Sequence, residues 1–134
     1  MDLIEKSEGF RAEAYYCPAG VLTIGYGSTQ GVTPGMVVTR EEATEMLQEH
    51  ISGIEDQLNN MGWDLNQNQF DALVDFIYNV GWGHFVSSGL CRMIEVNPNS
   101  ANIPTEFRKW KLVAGHENNG LIFRREAEIR LYQS

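Results

Sequence analysis

The feature that most narrows what this chain can fold into is a run of apolar residues that begins just after Thr39. Ala43, Leu47, Ile51, Ile54 and Leu58 succeed one another at steps of four, four, three and four, which puts them on one face of a helix. Thr39 has the side chain of an N-cap, and Glu42, three residues later, completes a capping-box pattern. A long helix over 40–59 is predicted, bridging the N-terminal third of the chain to the C-terminal half.

The N-terminal third has a different character. A short helical stretch around Leu3 and Ile4 gives way to a segment rich in Gly, Thr, Tyr and Val. Within it, Pro18-Ala19-Gly20 is turn chemistry between Ala14-Tyr15-Tyr16 and Val21-Leu22-Thr23-Ile24, which reads as a hairpin of short strands. The C-terminal half is helical. Asn66 as a cap, Phe70, Leu73, Val74 and Ile77 on one face, and Gly81 as a stop define the strongest core helix. Shorter helices fit 87–95, 104–110 with Pro104 in the first turn, and 121–132. The fold class expected is α+β and mostly helical, one domain over 1–134. In it a small Gly-rich β-hairpin lobe (1–39) is joined by a long helix (40–59) to a helical lobe (60–134).

Composition removes several classes of function. Ten basic residues against eighteen acidic ones leave a formal net charge of −8, which argues against nucleic acid as a partner, because phosphate binding needs a basic face. No run approaches the roughly 18 apolar residues of a membrane span, and Asp2, Glu5, Lys6 and Glu8 stand where a signal peptide has its apolar segment. Synthesis in the cytoplasm without a signal peptide, no membrane insertion and a monomer are therefore expected. Cys17 and Cys91 read as reduced thiols. His50, His84 and His116 lie in separate segments without ligand spacing, so no metal is expected, and a thiol protease built on either cysteine lacks a local signature. Trp63, Trp82 and Trp110 read as core packing, and Arg124-Arg125 with Glu126 and Glu128 as a solvated, charge-laced helix face.

One acid stands where chemistry is possible. Glu8, in Ser7-Glu8-Gly9, ends the first helical stretch directly before the hairpin, and the hairpin ends in Leu22-Thr23-Ile24-Gly25-Tyr26-Gly27. A cleft between helix and hairpin would hold both, and glycoside hydrolysis needs a carboxylic acid at the leaving oxygen. Taken alone, Glu8 reads first as a solvated helix-end carboxylate, and its local context does little to change that.

Three stretches, Glu8-Gly9, Tyr15-Tyr16-Cys17-Pro18-Ala19-Gly20 and Thr23-Ile24-Gly25-Tyr26-Gly27-Ser28-Thr29, together resemble the active-site signature of bacteriophage-type lysozymes, glycoside hydrolase family 24. The run from Gln69 to Gly81 is similar to that family's central core helix, and the run from Gly120 to Glu128 to its C-terminal segment. The resemblance implies a lysozyme-like fold and an endolysin that hydrolyses the β-1,4 linkage between N-acetylmuramic acid and N-acetylglucosamine in peptidoglycan. It implies no cofactor, and action on the wall after release at host lysis, whether the chain is a whole protein or a domain of a larger one.

In that family an aspartate and a threonine come after the catalytic glutamate at distances that fall here on Cys17 and Thr23. The resemblance thus implies Glu8 as general acid and Thr23 as a group that positions water or the developing cation. Cys17 departs from it, since a free thiol with a pKa of about 8.5 is mostly protonated near neutrality where an aspartate is ionised. Cys17 could orient the water, act as thiolate base, attack as a nucleophile, or simply pack. Whether the outcome is inverting or retaining stays open. Ser28 is a second departure, where many relatives carry histidine. Thr29, Tyr78 and Asn79 fall on substrate-contacting positions, with core packing the other reading of Tyr78. The alternative to an enzyme is a peptidoglycan-binding or structural module that keeps this fold without turnover.

Overall fold

The structure is a computed structural model that describes residues 2–134. The chain divides into two compact units, Met1–Gly53 and Ile54–Ser134, with the division inside the long helix.

The first unit opens with α1 (Asp2–Glu8), which stops where the Gly9 N–H donates to the Glu5 carbonyl. Strands β1 (Arg11–Tyr16) and β2 (Leu22–Gly25) pair antiparallel, with Tyr15 opposite Thr23 and an irregularity between Arg11 and Tyr15. The turn at Pro18-Ala19-Gly20 forms as the sequence indicates, with the Gly20 N–H on the Cys17 carbonyl and the Cys17 N–H on the Val21 carbonyl. Residues 36–38 line the other edge of β1, through the Ala14 N–H to Met36 and the Val38 N–H to Ala12. Helix α2 (Arg40–Asn60) starts in the expected capping box, since the Glu42 N–H donates to Thr39 Oγ1 and the Thr39 N–H to Glu42 Oε1. Ala43, Leu47, Ile51, Ile54 and Leu58 are all buried, as their spacing requires.

The second unit is built around α3 (Gln67–Val80), capped by Asn66 and Gln69 in a second capping box and stopped at Gly81. Phe76 of α3 is ringed edge-on by Phe85, Phe107 and Trp110, with Trp63 and Trp82 against Phe85, so the three tryptophans pack on the core rings, as the sequence suggests, but stay half-buried rather than inside the core. Helices α4 (Trp82–Val86), α5 (Gly89–Val96), α6 (Ile103–Arg108) and α7 (Asn119–Tyr132) surround it. Two features go beyond what the sequence indicates. One is α4 itself. The other is a hairpin of β3 (Leu112–Val113) and β4 (His116–Glu117), turned by Ala114 at φ +51° and Gly115. The predicted helix over 87–95 begins instead at Gly89, because Ser88 serves as its cap by accepting from the Cys91 N–H.

The charged pair on α7 requires a correction. Arg124 and Arg125 are 5% and 1% exposed and Glu128 is fully buried, so this is an interior face and not a solvated one. Arg124 grips Asp75 of α3 with two parallel bonds of 3.0 Å, and Arg125 Nη2 donates to Glu128 Oε2 at 3.0 Å and to Asn79 Oδ1 at 2.8 Å. Burial, and then the adjacent Asp75, hold the Glu128 carboxyl well above the usual carboxylate range, and burial pulls Arg125 down. Two guanidiniums and two acids thus share one interior site, and removing any one leaves the others short of a partner.

The location of each ion pair sets its weight. Arg125→Ala should destabilise the protein by about 3–5 kcal/mol, because it strands a buried acid. Arg108→Ala, which breaks the exposed pair with Glu126, should change stability by less than about 1 kcal/mol. Urea unfolding monitored by tryptophan fluorescence reads both, since all three tryptophans lie in the second unit. Equal losses would contradict this reading of the cluster.

Candidate active site

The acid of the first unit sits on a glycine. A Cβ built on Gly27 would lie 2.9 Å from Glu8 Oε2, so the half-buried carboxylate rests against the bare Cα, and the φ of +90° at Gly27 independently disfavours any side chain there. Two residues earlier, a Cβ on Gly25 would lie 3.0 Å from the Cβ of Ala43 on α2. Ile24 and Ser28 exchange both backbone hydrogen bonds at 2.9 Å, which closes Gly25-Tyr26-Gly27 into a tight loop. The end of β2 is thereby clamped between α1 and α2, with the carboxylate of Glu8 at its tip. Tyr26 is buried with its ring 5.5 Å from that of Phe10, and Arg40 lies over the other ring, 4.4 Å from the Phe10 centroid.

Cys17 and Thr23 meet at the base of the hairpin. The half-buried Cys17 thiol is acidified chiefly by the Val21 N–H pointing at it, with smaller contributions from the Ala19 N–H and the Thr23 hydroxyl. Thr23 is 4% exposed, and its hydroxyl donates to the Val21 carbonyl at 2.8 Å. One hydroxyl proton cannot serve both partners at once. When the sulfur is a thiolate, Thr23 can turn its proton to it, and when the sulfur is protonated the Val21 carbonyl takes that proton instead.

The remaining candidates fall in two places. Thr29 is exposed and comes directly after Ser28, which is 7% exposed and whose Oγ makes no hydrogen bond among the described residues. Tyr78 and Asn79 belong to the second unit, at the end of α3, where Tyr78 is 9% exposed and Asn79 is half-buried with its Oδ1 held by Arg125. Sequence reasoning missed Arg124, Arg125 and Glu128 as partners of this region. Asp75, an acid on the buried side of the core helix α3, was the signal that pointed to them. Among the described residues no three His, Cys, Asp or Glu side chains converge on a point that could hold a metal ion.

The family model described as Phage lysozyme matches residues 5–128 of this chain. The chain belongs to that family. This phage lysozyme is 37% identical to the endolysin of Acyrthosiphon pisum secondary endosymbiont phage 1, across 98% of this chain and 93% of that protein. It is 38% identical to the endolysin of Bacillus phage B103 across 98% of its own length, but it spans only 51% of that relative. Among solved structures, the muramidase domain of SpmX from Asticaccaulis excentricus superposes with a TM-score of 0.87 at 33% identity, covering 99% of this chain and 93% of the other. The fold is lysozyme-like.

The geometry predicts two outcomes. Gly27→Ala should lower the rate at which this lysozyme releases reducing ends from peptidoglycan by roughly tenfold to a hundredfold, because a misplacement of about 1 Å at a reacting group has that effect. The helical circular dichroism should be retained, and a rate within a factor of two of wild type would refute the seating of Glu8. Iodoacetamide, read by mass spectrometry across a pH series, should label Cys17 well before Cys91, with a midpoint for Cys17 below that of a free cysteine. Cys91 is buried, and burial together with Glu95 pushes its thiol up. Labelling of the two at equal rates would contradict this.

Proposed function

We propose that Glu8, Cys17 and Thr23 form the catalytic group of a muramidase that cuts the glycan strands of bacterial peptidoglycan between N-acetylmuramic acid and N-acetylglucosamine. The observation that carries the reading is the seat of Glu8 on Gly27, which fixes one carboxyl oxygen at the end of the strand bearing Thr23. Glu8 gives its proton to the glycosidic oxygen as the bond to the anomeric carbon breaks, and a water adds to that carbon from Cys17 and Thr23. Thr23 offers its lone pairs to the water while its proton is engaged. Cys17, acidified by the Val21 N–H, takes the proton that the water loses and passes it to solvent. Thr29, Tyr78 and Asn79 contact the glycan in this reading, and Arg125 on Asn79 Oδ1 turns the two N–H donors of the amide away from the guanidinium.

The chain acts in this reading as one lysozyme domain and as a monomer, and it reaches the wall on release at host lysis, the setting that the name endolysin gives for its relatives. No described helix is long and apolar enough to cross a membrane. Glycan strands need no basic face, so a net charge of −8 suits this substrate better than nucleic acid.

Release of reducing ends from purified peptidoglycan tests the assignment. Glu8→Gln should lose about a hundredfold to ten-thousandfold in rate with the fold intact, the range of a general acid. Cys17→Ala should lose much of the rate and Cys17→Asp should keep it. With a thiolate as base, activity rises with pH as the lowered thiol pKa is crossed. In Cys17→Asp that rising limb should move down toward the aspartate range near about 3.9. A loss of tenfold or less in Glu8→Gln would falsify the role of the acid, and full activity in Cys17→Ala would remove Cys17 from the mechanism.

A further inference from the structure

Glu8 is the last residue of α1, a helix of seven residues. A helix that short is marginal by itself, and its final turn is the part most ready to fray. Gly9 follows at a φ of +70° with open space where a Cβ would go, so no packing at the glycine itself fixes the angle between α1 and β1. The bare Cα of Gly27 makes room for the Glu8 carboxylate but leaves open what keeps the end of α1 against the loop.

Phe10 stands on the other side of Gly9. It is half-buried, and its ring lies 5.5 Å from that of Tyr26 at an interplanar angle of 53°. Tyr26 directly precedes Gly27. The two residues that flank Gly9 therefore meet two neighbouring residues of the loop, Glu8 on Gly27 and Phe10 on Tyr26. A single contact would let α1 pivot about it, whereas two contacts on either side of the glycine fix its end.

Arg40 adds a third member. It opens α2, a position where a cation opposes the helix dipole and where Glu41 and Glu42 are the favourable residues. Among the described residues Arg40 forms no ion pair, and its guanidinium lies over the Phe10 ring, 4.4 Å from the centroid. Arg40 is exposed, so it covers the ring while its charge stays in water. Ala43, three residues along the same helix, is the residue that backs Gly25. The first turn of α2 thus reaches the loop through Ala43 and the end of α1 through Arg40.

We propose that Phe10, packed on Tyr26 and covered by Arg40, is a positioning residue that keeps the carboxyl of Glu8 on its seat at Gly27. The inference rests on the reading of Glu8 as the general acid, and it gives neither Phe10 nor Arg40 a contact with the glycan.

Reducing-end release from peptidoglycan, resolved into kcat and KM, is the test. Phe10→Ala should lower kcat by roughly tenfold to a hundredfold, the effect of a misplacement of about 1 Å, and leave KM within about a factor of two. Phe10→Tyr keeps the ring and should stay within about threefold of wild type. Arg40→Ala should lower kcat by roughly twofold to tenfold, and Arg40→Lys, still a cation, should recover part of that. In a Gly27→Ala background the seat is already spoiled, so Phe10→Ala should lower kcat further by less than about a factor of two. Circular dichroism confirms that each variant is folded, and Phe10→Leu, which keeps apolar bulk, carries the same test should Phe10→Ala not fold. An unchanged kcat in the folded Phe10 variant overturns the role, and an unchanged kcat in Arg40→Ala overturns the cover. A raised KM with kcat intact also overturns it and makes Phe10 a substrate contact. Losses that multiply in full in the double variant do so too, because they mark a general weakening of the fold. The two readings fail separately. A loss of tenfold or less in Glu8→Gln removes the acid itself, whereas a large loss there with none in Phe10→Ala sinks the positioning role alone.

Discussion

The first unit depends on how closely a strand end can approach two helices. At Gly25 the backbone comes near enough to α2 that a Cβ would sit 3.0 Å from that of Ala43, and at Gly27 near enough to α1 that it would sit 2.9 Å from the Glu8 carboxylate. Either contact fails with a larger residue, and Ala43 is itself the smallest side chain on the buried face of α2. The tight loop between Ile24 and Ser28 fixes the spacing of these two contacts. One short peptide thereby relates the positions of Glu8, of the strand with Thr23, and of Ser28. The close approach of the backbone to Glu8 needs a bare Cα at Gly27, which is why the glycines matter as much as the charged residue.

What the sequence made legible was local. The capping box of Thr39 with Glu42 involves partners three residues apart, Asn66 reads as a cap on its own, and the face of α2 comes from spacing alone. The hairpin tip was readable because Pro18-Ala19-Gly20 has few alternatives to a turn. The elements that were missed are those whose cause is not local. Helix α7 has no apolar stripe that says which side faces inward, and its inner side is ionic because Asp75 waits for it 49 residues earlier in the chain. Strands β3 and β4 are two residues long, too short for alternation to register, and turn on an alanine in the left-handed region, which no turn rule favours.

The same division runs through the site. Glu8, Cys17 and Thr23 could be named only because their spacing resembles that of a known family; nothing in the chemistry of an isolated Glu-Gly dipeptide marks it as catalytic. The structure adds the physical content, a seat for the acid and a donor set for the thiol.

The buried cluster of the second unit raises the question of why an interior holds four charged groups, since well-packed apolar residues often give equal or greater stability. Asp75 with Arg124 and Arg125 with Glu128 join α3 to α7, but a pair of leucines would do the same. What leucines would lack is the hydrogen bond from Arg125 to Asn79. An unheld asparagine amide can present either its oxygen or its nitrogen to the same space, and only the nitrogen can donate a hydrogen bond. By binding the oxygen at 2.8 Å, Arg125 selects the face that Asn79 shows, and Glu128, 3.0 Å from the same Nη2, holds Arg125 in place. The guanidinium also lies over the Phe76 ring, 4.9 Å from its centroid, so the core residue that organises the tryptophans helps to fix it. The cluster is thus better understood as the means by which a rigid interior sets the orientation of one half-buried amide than as a source of stability.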